Sequence, residues 1–266
     1  MPARRRRNRL EIVQADVVAC RRCPRLVAYR EQVAREKVRR YRDEEYWGRP
    51  IPGFGDSNAR LLIVGLAPAA HGGNRTGRIF TGDRSGDFLY GALYRAGFAN
   101  QPWSRRRDDG LALHDCYITA AVRCVPPDNK PSPTELSVCR SYLVEEIPLL
   151  RNLCVVVALG RIAFDAFLKA WGDAGRTVPS PRPTFAHGAL RELLGGVYLL
   201  ASYHPSQQNT QTGRLTSAMF QRIFVRVRRL LAGSCVDPPR ASMHVKVCRR
   251  LPRPRSGLPR AGSSGI

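Results

Sequence analysis

Four cysteines, an aspartate, a histidine and an asparagine stand where side-chain chemistry is possible. Cys20 and Cys23 form a Cys-x-x-Cys pair, and Cys124 and Cys139 follow fifteen positions apart. A Cys-x-x-Cys brings two thiolates to one metal ion or cluster, and two further Cys near a sheet edge would complete a four-thiolate set. Spacing alone does not separate a 4Fe-4S cluster from zinc, and the simplest alternative is ordinary buried thiols. Cys116 and Cys154 fall inside apolar runs and read as core. Cys235 and Cys248 belong to a Pro/Arg-rich end and read as binding nothing.

Three loops hold the other candidates. The first, from Gly65, reads GLAPAAHGGNRTGRIFTGDRSGDFLYGAL. Its glycines let the backbone turn tightly and approach a ligand. It matches neither the Walker pattern nor GxGxxG, so no nucleotide cofactor is expected. Asp83 is its first acid, either a helix cap or a carboxylate facing a reacting centre. Phe80 is core, or a platform for a planar ligand. The second loop, CVPPDNKPSPTEL from Cys124, is stiffened by proline. Its Asn129 is a turn residue, or presents a donor and an acceptor to a base edge. The third, SYHPSQQNTQTGRLT from Ser202, carries His204 ahead of a proline. His204 is structural, or in its neutral form donates one hydrogen bond to a leaving group. Ser206, Gln207, Gln208, Asn209, Thr210 and Arg214 offer contacts to a phosphate backbone.

The elements that must position these loops read as alternating strands and helices. Continuous apolar runs at 61–65, 116–122, 153–159 and 197–203 predict strands buried on both faces, as in a parallel sheet. Helical patterns at about 85–97, 133–151, 161–171 and 212–232 fall between them. The expected fold is therefore α/β, three layers α/β/α around a mainly parallel four-stranded sheet. Segments 10–19 and 24–42 read as helices packed outside that unit. In such sheets the site lies beyond the carboxyl ends of the strands, and the three loops sit there.

Charge points to the partner. There are 44 Lys and Arg against 21 Asp and Glu, a net charge of +23. All but four of the basic residues are Arg. A polyanion, with nucleic acid foremost, is the natural partner. Residues 1–9, with Arg4 to Arg7, read as a basic arm, 10–233 as the domain, and 234–266 as a disordered tail rich in Pro, Arg, Ser and Gly. Apolar residues make up 43% of the chain, enough for a sizeable core. No stretch is long and apolar enough to span a membrane, and the N-terminus lacks the apolar run of a signal peptide. The expectation is a cytoplasmic monomer.

The strings GLAPAAHGGNRTGRIFTGD, YITAAVRCVPPDNK and SYHPSQQNT, in this order and at strand ends, resemble the uracil-DNA glycosylase superfamily, and within it family 5, the type-5 or B-type enzymes. The resemblance covers about residues 14–232. It implies removal of uracil, and of other deaminated bases such as hypoxanthine and xanthine, from double-stranded and single-stranded DNA in base excision repair. CRRCPRLVAYRE together with Cys124 and Cys139 resembles the family's 4Fe-4S ligand set, which favours iron–sulfur over zinc. By resemblance Asp83 serves the water and sugar side, and His204 hydrogen-bonds the departing base. Phe80 stacks on the flipped ring, Asn129 contacts its edge, and the backbone around Gly65, Ala67 and Ala69 lines the pocket. Residues after His204 would enter the minor groove. The related family 4 enzymes carry a Glu where this chain has Leu66 and an Asn where it has Ala120; both departures fit family 5. No Lys is placed as a Schiff-base nucleophile, so strand cleavage is not expected. The rival readings are a non-catalytic DNA-binding module and an Fe–S redox protein on the same fold.

Overall fold

The computed structural model describes residues 8–233. Arg4 to Arg7, the 234–266 tail, Cys235 and Cys248 lie outside the described residues. Within them the sheet has six strands, β1 (Phe54–Gly55), β2 (Leu61–Gly65), β3 (Cys116–Ala120), β4 (Val155–Leu159), β5 (Leu190–Leu193) and β6 (Val197–Ser202), in the order β1-β3-β2-β4-β6-β5. The expected parallel set of four is its centre: β3, β2, β4 and β6 pair in parallel. The expected strand count of four is corrected by two antiparallel edge strands, β1 on β3 and β5 on β6. β1 has only two residues, and in β5 the sequence Leu-Arg-Glu-Leu breaks any apolar run.

Two apolar layers form because β residues alternate faces. Leu61 and Ile63 of β2 join Ile118, Val157 and Leu200 on one face. There they meet α4 (Arg84–Arg95) and α8 (Ser217–Gly233) through Leu89, Leu93, Phe220 and Phe224. Leu62 and Val64 face the other way with Val156 and Leu199, against α5 (Pro133–Leu149) and α6 (Arg161–Asp173). A third cluster joins Val13 and Val17 of α1 (Arg9–Ala19) and Leu26 of α2 (Pro24–Glu36) to Val122, Cys124, Cys139 and Tyr142. The N-terminal helices are thus fastened to α5 and to the loop after β3.

Helix ends differ from the expected ones for local reasons. The helix expected to reach residue 42 stops at Glu36, where Lys37 takes φ 52° and reverses the chain. The helix expected from 212 begins at Ser217, after Gly213 at φ 72° and with the Thr216 hydroxyl accepting from the Met219 N–H. Between them lie the short helices α3 (Gly73–Thr76) and α7 (Gln207–Gln211), both inside the functional loops. Cys154 precedes β4 rather than lying in it, and its thiol donates to the Asn152 carbonyl. No helix among the described residues is long and apolar enough to cross a membrane.

Candidate active site

Asp83 takes the capping role open to it on sequence, and it also lines a cleft. It is the N-cap of α4, Oδ1 accepting from the Gly86 N–H at 2.9 Å, and it borders an open cleft of about 1110 Å³. Its other oxygen lies against Gly72: a Cβ added there would stand 2.1 Å from Asp83 Oδ2. Only a residue without a side chain leaves that carboxylate its place. Burial pushes the Asp83 carboxyl above the usual carboxylate range, opposed by the Gly86 N–H.

Ala69, Asn129 and Gln207 border the same cleft. Asn129 is exposed in a single 3₁₀ turn, 127–129, where it and Asp128 both have positive φ. Gly65, Phe80 and His204 form a second group and are not among the residues lining the cleft. The Phe80 and His204 rings lie 5.8 Å apart at 31°. The Phe80 ring covers Gly65 so closely that a Cβ there would stand 2.9 Å from it. Phe80 itself has φ 52° and is buried. Burial lowers the His204 pKa to about 4, so its imidazole is neutral near pH 7. Ala67 turns to the apolar cluster around the cysteines rather than to the cleft.

The loop after β6 is braced from within. The Ser206 hydroxyl caps α7, accepting from the Asn209 N–H. Asn209 Nδ2 donates to the His204 carbonyl at 2.8 Å. The Arg214 guanidinium lies 4.7 Å from the centre of the Tyr203 ring. His187 stacks on Tyr203 at 4.9 Å, and its Nδ1 accepts the Tyr203 N–H at 3.1 Å. Gln207 and Gln208 are exposed.

Sequence reasoning missed one end of the cleft. Arg75 is buried there, donating to the His71 and Gly82 carbonyls and to Glu44, with its guanidinium 3.9 Å from the centre of the Tyr41 ring. His71 lines the cleft and its Nδ1 pairs with the Tyr46 hydroxyl at 3.0 Å. The signal was the aromatic and charged run YRDEEYW after α2, together with the His and Arg of the Gly-rich loop.

Cys20, Cys23, Cys124 and Cys139 line one small cavity with Arg22, Arg30, Arg123 and Tyr142. Arg30 Nη1 donates to Cys124 Sγ at 3.1 Å, and the Arg123 N–H to Cys139 Sγ at 3.2 Å. Arg30 Nε and two side-chain nitrogens of Arg123 are buried without a hydrogen-bond partner. Among the described residues no group of three or more His, Cys, Asp or Glu is arranged to hold a single metal ion. The four thiols ring a space beside buried cations, a setting that fits an anionic group.

A family model described as the uracil DNA glycosylase superfamily matches residues 52–228. The chain belongs to the uracil-DNA glycosylase superfamily. The match spans all six strands and the three loops, and leaves out α1 and α2, which carry Cys20 and Cys23 on their connection. The chain is 54% identical over 214 residues to a type-5 uracil-DNA glycosylase of Thermus thermophilus, covering 80% of this chain and 94% of that one. A type-5 uracil-DNA glycosylase of Mycobacterium tuberculosis is 51% identical over 219 residues, covering 82% of this chain and 80% of that one. A type-4 uracil-DNA glycosylase of Thermotoga maritima is 31% identical over 157 residues, covering 59% and 69%. The type-5 members of the superfamily thus share more of this chain, at higher identity, than this type-4 one, in keeping with Leu66 and Ala120.

Proposed function

We propose that this chain is a DNA glycosylase that hydrolyses the bond between uracil and deoxyribose, and accepts other deaminated bases, hypoxanthine and xanthine among them. The observation that carries the reading is Asp83: a buried carboxylate fixed by a helix N-terminus, packed against Gly72, on a residue that lines the cleft. The type-5 relatives support the substrate. A base inside a duplex is out of reach, so it must first be flipped out, at a cost of a few kcal/mol that is least at a mismatch. As the N-glycosidic bond breaks, its electron pair leaves with the base and the sugar becomes cationic. Asp83 faces that cation and orients the water whose oxygen bonds to C1′; the water's proton passes to the carboxylate and on to solvent. His204, neutral, donates its N–H to the departing anion. Phe80 and His204 touch each other, so the base lies alongside their rings and not between them. Asn129 reads its edge from across the cleft. Among the described residues no lysine lines the cleft, which supports release of the base without strand scission.

Cys20, Cys23, Cys124 and Cys139 would hold a 4Fe-4S cluster. When bound, it supplies a covalent tie and a redox-capable centre, of which the hydrolysis needs only the tie. The cationic surroundings, Arg30 and Arg123, support an anionic occupant. The chain acts as a monomer on duplex and single-stranded DNA.

The test is base release from oligonucleotides carrying one uracil or one hypoxanthine, with Asp83→Ala in parallel. Release from both, lost in the variant, establishes the reading. Release from neither, by folded iron-loaded protein, overturns it and leaves a DNA-binding or redox module.

A further inference from the structure

Trp103 is a large aromatic left half-exposed, 46% accessible, in a loop that is otherwise tightly built. The loop runs from residue 100 to 110, between α4 and β3, and Asp109 is its hub. Asp109 Oδ2 accepts the N–H groups of Arg105 and Arg106 at 2.7 and 3.2 Å. Its Oδ1 accepts the Leu111 N–H at 3.1 Å and Arg78 Nη2 at 2.6 Å. Arg78 is buried, and also donates to the Ser104 hydroxyl at 2.6 Å and to the Arg107 carbonyl at 3.2 Å. Ser104 in turn accepts the Gly82 N–H at 2.9 Å and shares a hydrogen bond with Thr81. The loop is therefore bolted to the residues that immediately precede Asp83.

Such a loop holds its backbone in place, so the exposure of Trp103 is set by the fold. Next to Trp103, Ser104, Arg105 and Arg106 border the same cleft as Asp83. Arg105 makes no ion pair among the described residues. Arg106 has only an exposed one with Asp108 at 3.5 Å, which is weak in water. An aromatic face flanked by two available guanidiniums matches a nucleic-acid strand, one base against the ring and two phosphates against the cations.

We propose that the 100–110 loop is a second DNA platform, on which Trp103 stacks an unpaired base near the lesion while Arg105 and Arg106 hold the adjoining phosphates. The inference rests on the glycosylase reading for its ligand, and it names which part of the surface holds the strand outside the pocket. Stacking needs an open base face, so single-stranded DNA, or the base left without a partner by flipping, is the ligand.

The experiment measures the Kd of iron-loaded protein, in the Asp83→Asn background so that nothing is cleaved, for single-stranded and duplex oligonucleotides containing uracil. Trp103→Ala should weaken single-strand binding about 5- to 100-fold; Trp103→Phe should retain most of it. Arg105→Ala with Arg106→Ala should reduce the slope of log K against log salt by about 1.4 on single strands. Tryptophan fluorescence quenched by DNA in the Asp83→Asn background, and not after further Trp103→Phe, reports the stack directly. Single-strand affinity unchanged in Trp103→Ala, with the fold retained by circular dichroism, overturns the platform. Base release by the unmodified chain is assayed beside these. Its absence with Trp103-dependent binding intact sinks the glycosylase reading and leaves the platform standing.

Discussion

At the residue scale the proposed reaction sets demands on the protonation states of Asp83 and His204. Asp83 must be ionised to face a cationic sugar, yet burial raises its pKa. A carboxyl with a raised folded pKa stabilises the fold below its unfolded pKa. That contribution is lost as pH rises through the folded value, so at neutral pH the ionised group costs stability. Asp83→Asn keeps the cap, since Asn caps as well as Asp, and removes the charge. We expect base release to fall about 10²- to 10⁴-fold while the melting temperature at pH 7 stays level or rises; a lowered melting temperature would show that the charge is a net support. The acid limb of the single-turnover rate should have its midpoint above the ordinary aspartate value, because burial raises the Asp83 pKa. His204, lowered to about 4, is neutral on the plateau near pH 7. A limb at or below the usual carboxylate pKa would remove Asp83 from the ionised role.

At the scale of elements, the loops are set by what packs beneath them. Gly72→Ala forces the Asp83 carboxylate aside, since the new carbon would stand 2.1 Å from Oδ2. Activity should drop at least about tenfold with little change in urea midpoint, and a fully active variant would mean that Asp83 can move. His187→Ala removes the acceptor of the Tyr203 N–H and one face of its stack. It should lower the rate of base release more than it raises KM, because it loosens His204 rather than a substrate contact. Much of this scale was legible in sequence. The four central strands were plain because each is a short, continuous apolar run closed by Gly, Pro or a polar turn. The rule for parallel sheets picked out the three loops; the roles of residues within them came from the family resemblance. What stayed hidden were the features made by distant pairing. The edge strands are too short or too charged to show a pattern. Arg75, Arg78 and His187 have partners far away in sequence, or backbone partners that no motif names. The dual use of Asp83 as cap and cleft wall needed the backbone of Gly72 to be placed.

For the whole molecule, the packing that joins the N-terminal helices to the sheet matters as much as the site. α1 and α2 bring Cys20 and Cys23 to a cavity completed from the β3 loop and α5. If Cys20 is a ligand as proposed, Cys20→Ala should abolish the visible absorbance expected of a cluster and lower the melting temperature together. Retained colour in a stable variant would break the ligand assignment. Beside that cavity Arg123 is paired with Glu146 at 2.5 Å in full burial, and Glu146 also accepts from Thr119 at 2.8 Å. The loop that carries Asn129 thus leaves β3 already tied to α5. A net charge of +23 makes association salt-dependent.

The sheet ends in two unlike margins, two residues of β1 on one side and the Arg191 and Glu192 of β5 on the other. Neither offers a long, flat, uncharged row of amides to a neighbouring copy. Copies gathered side by side on one damaged stretch of DNA are concentrated by the polymer far beyond their number in bulk. There, margins this short and charged give a crowded neighbour little to pair with.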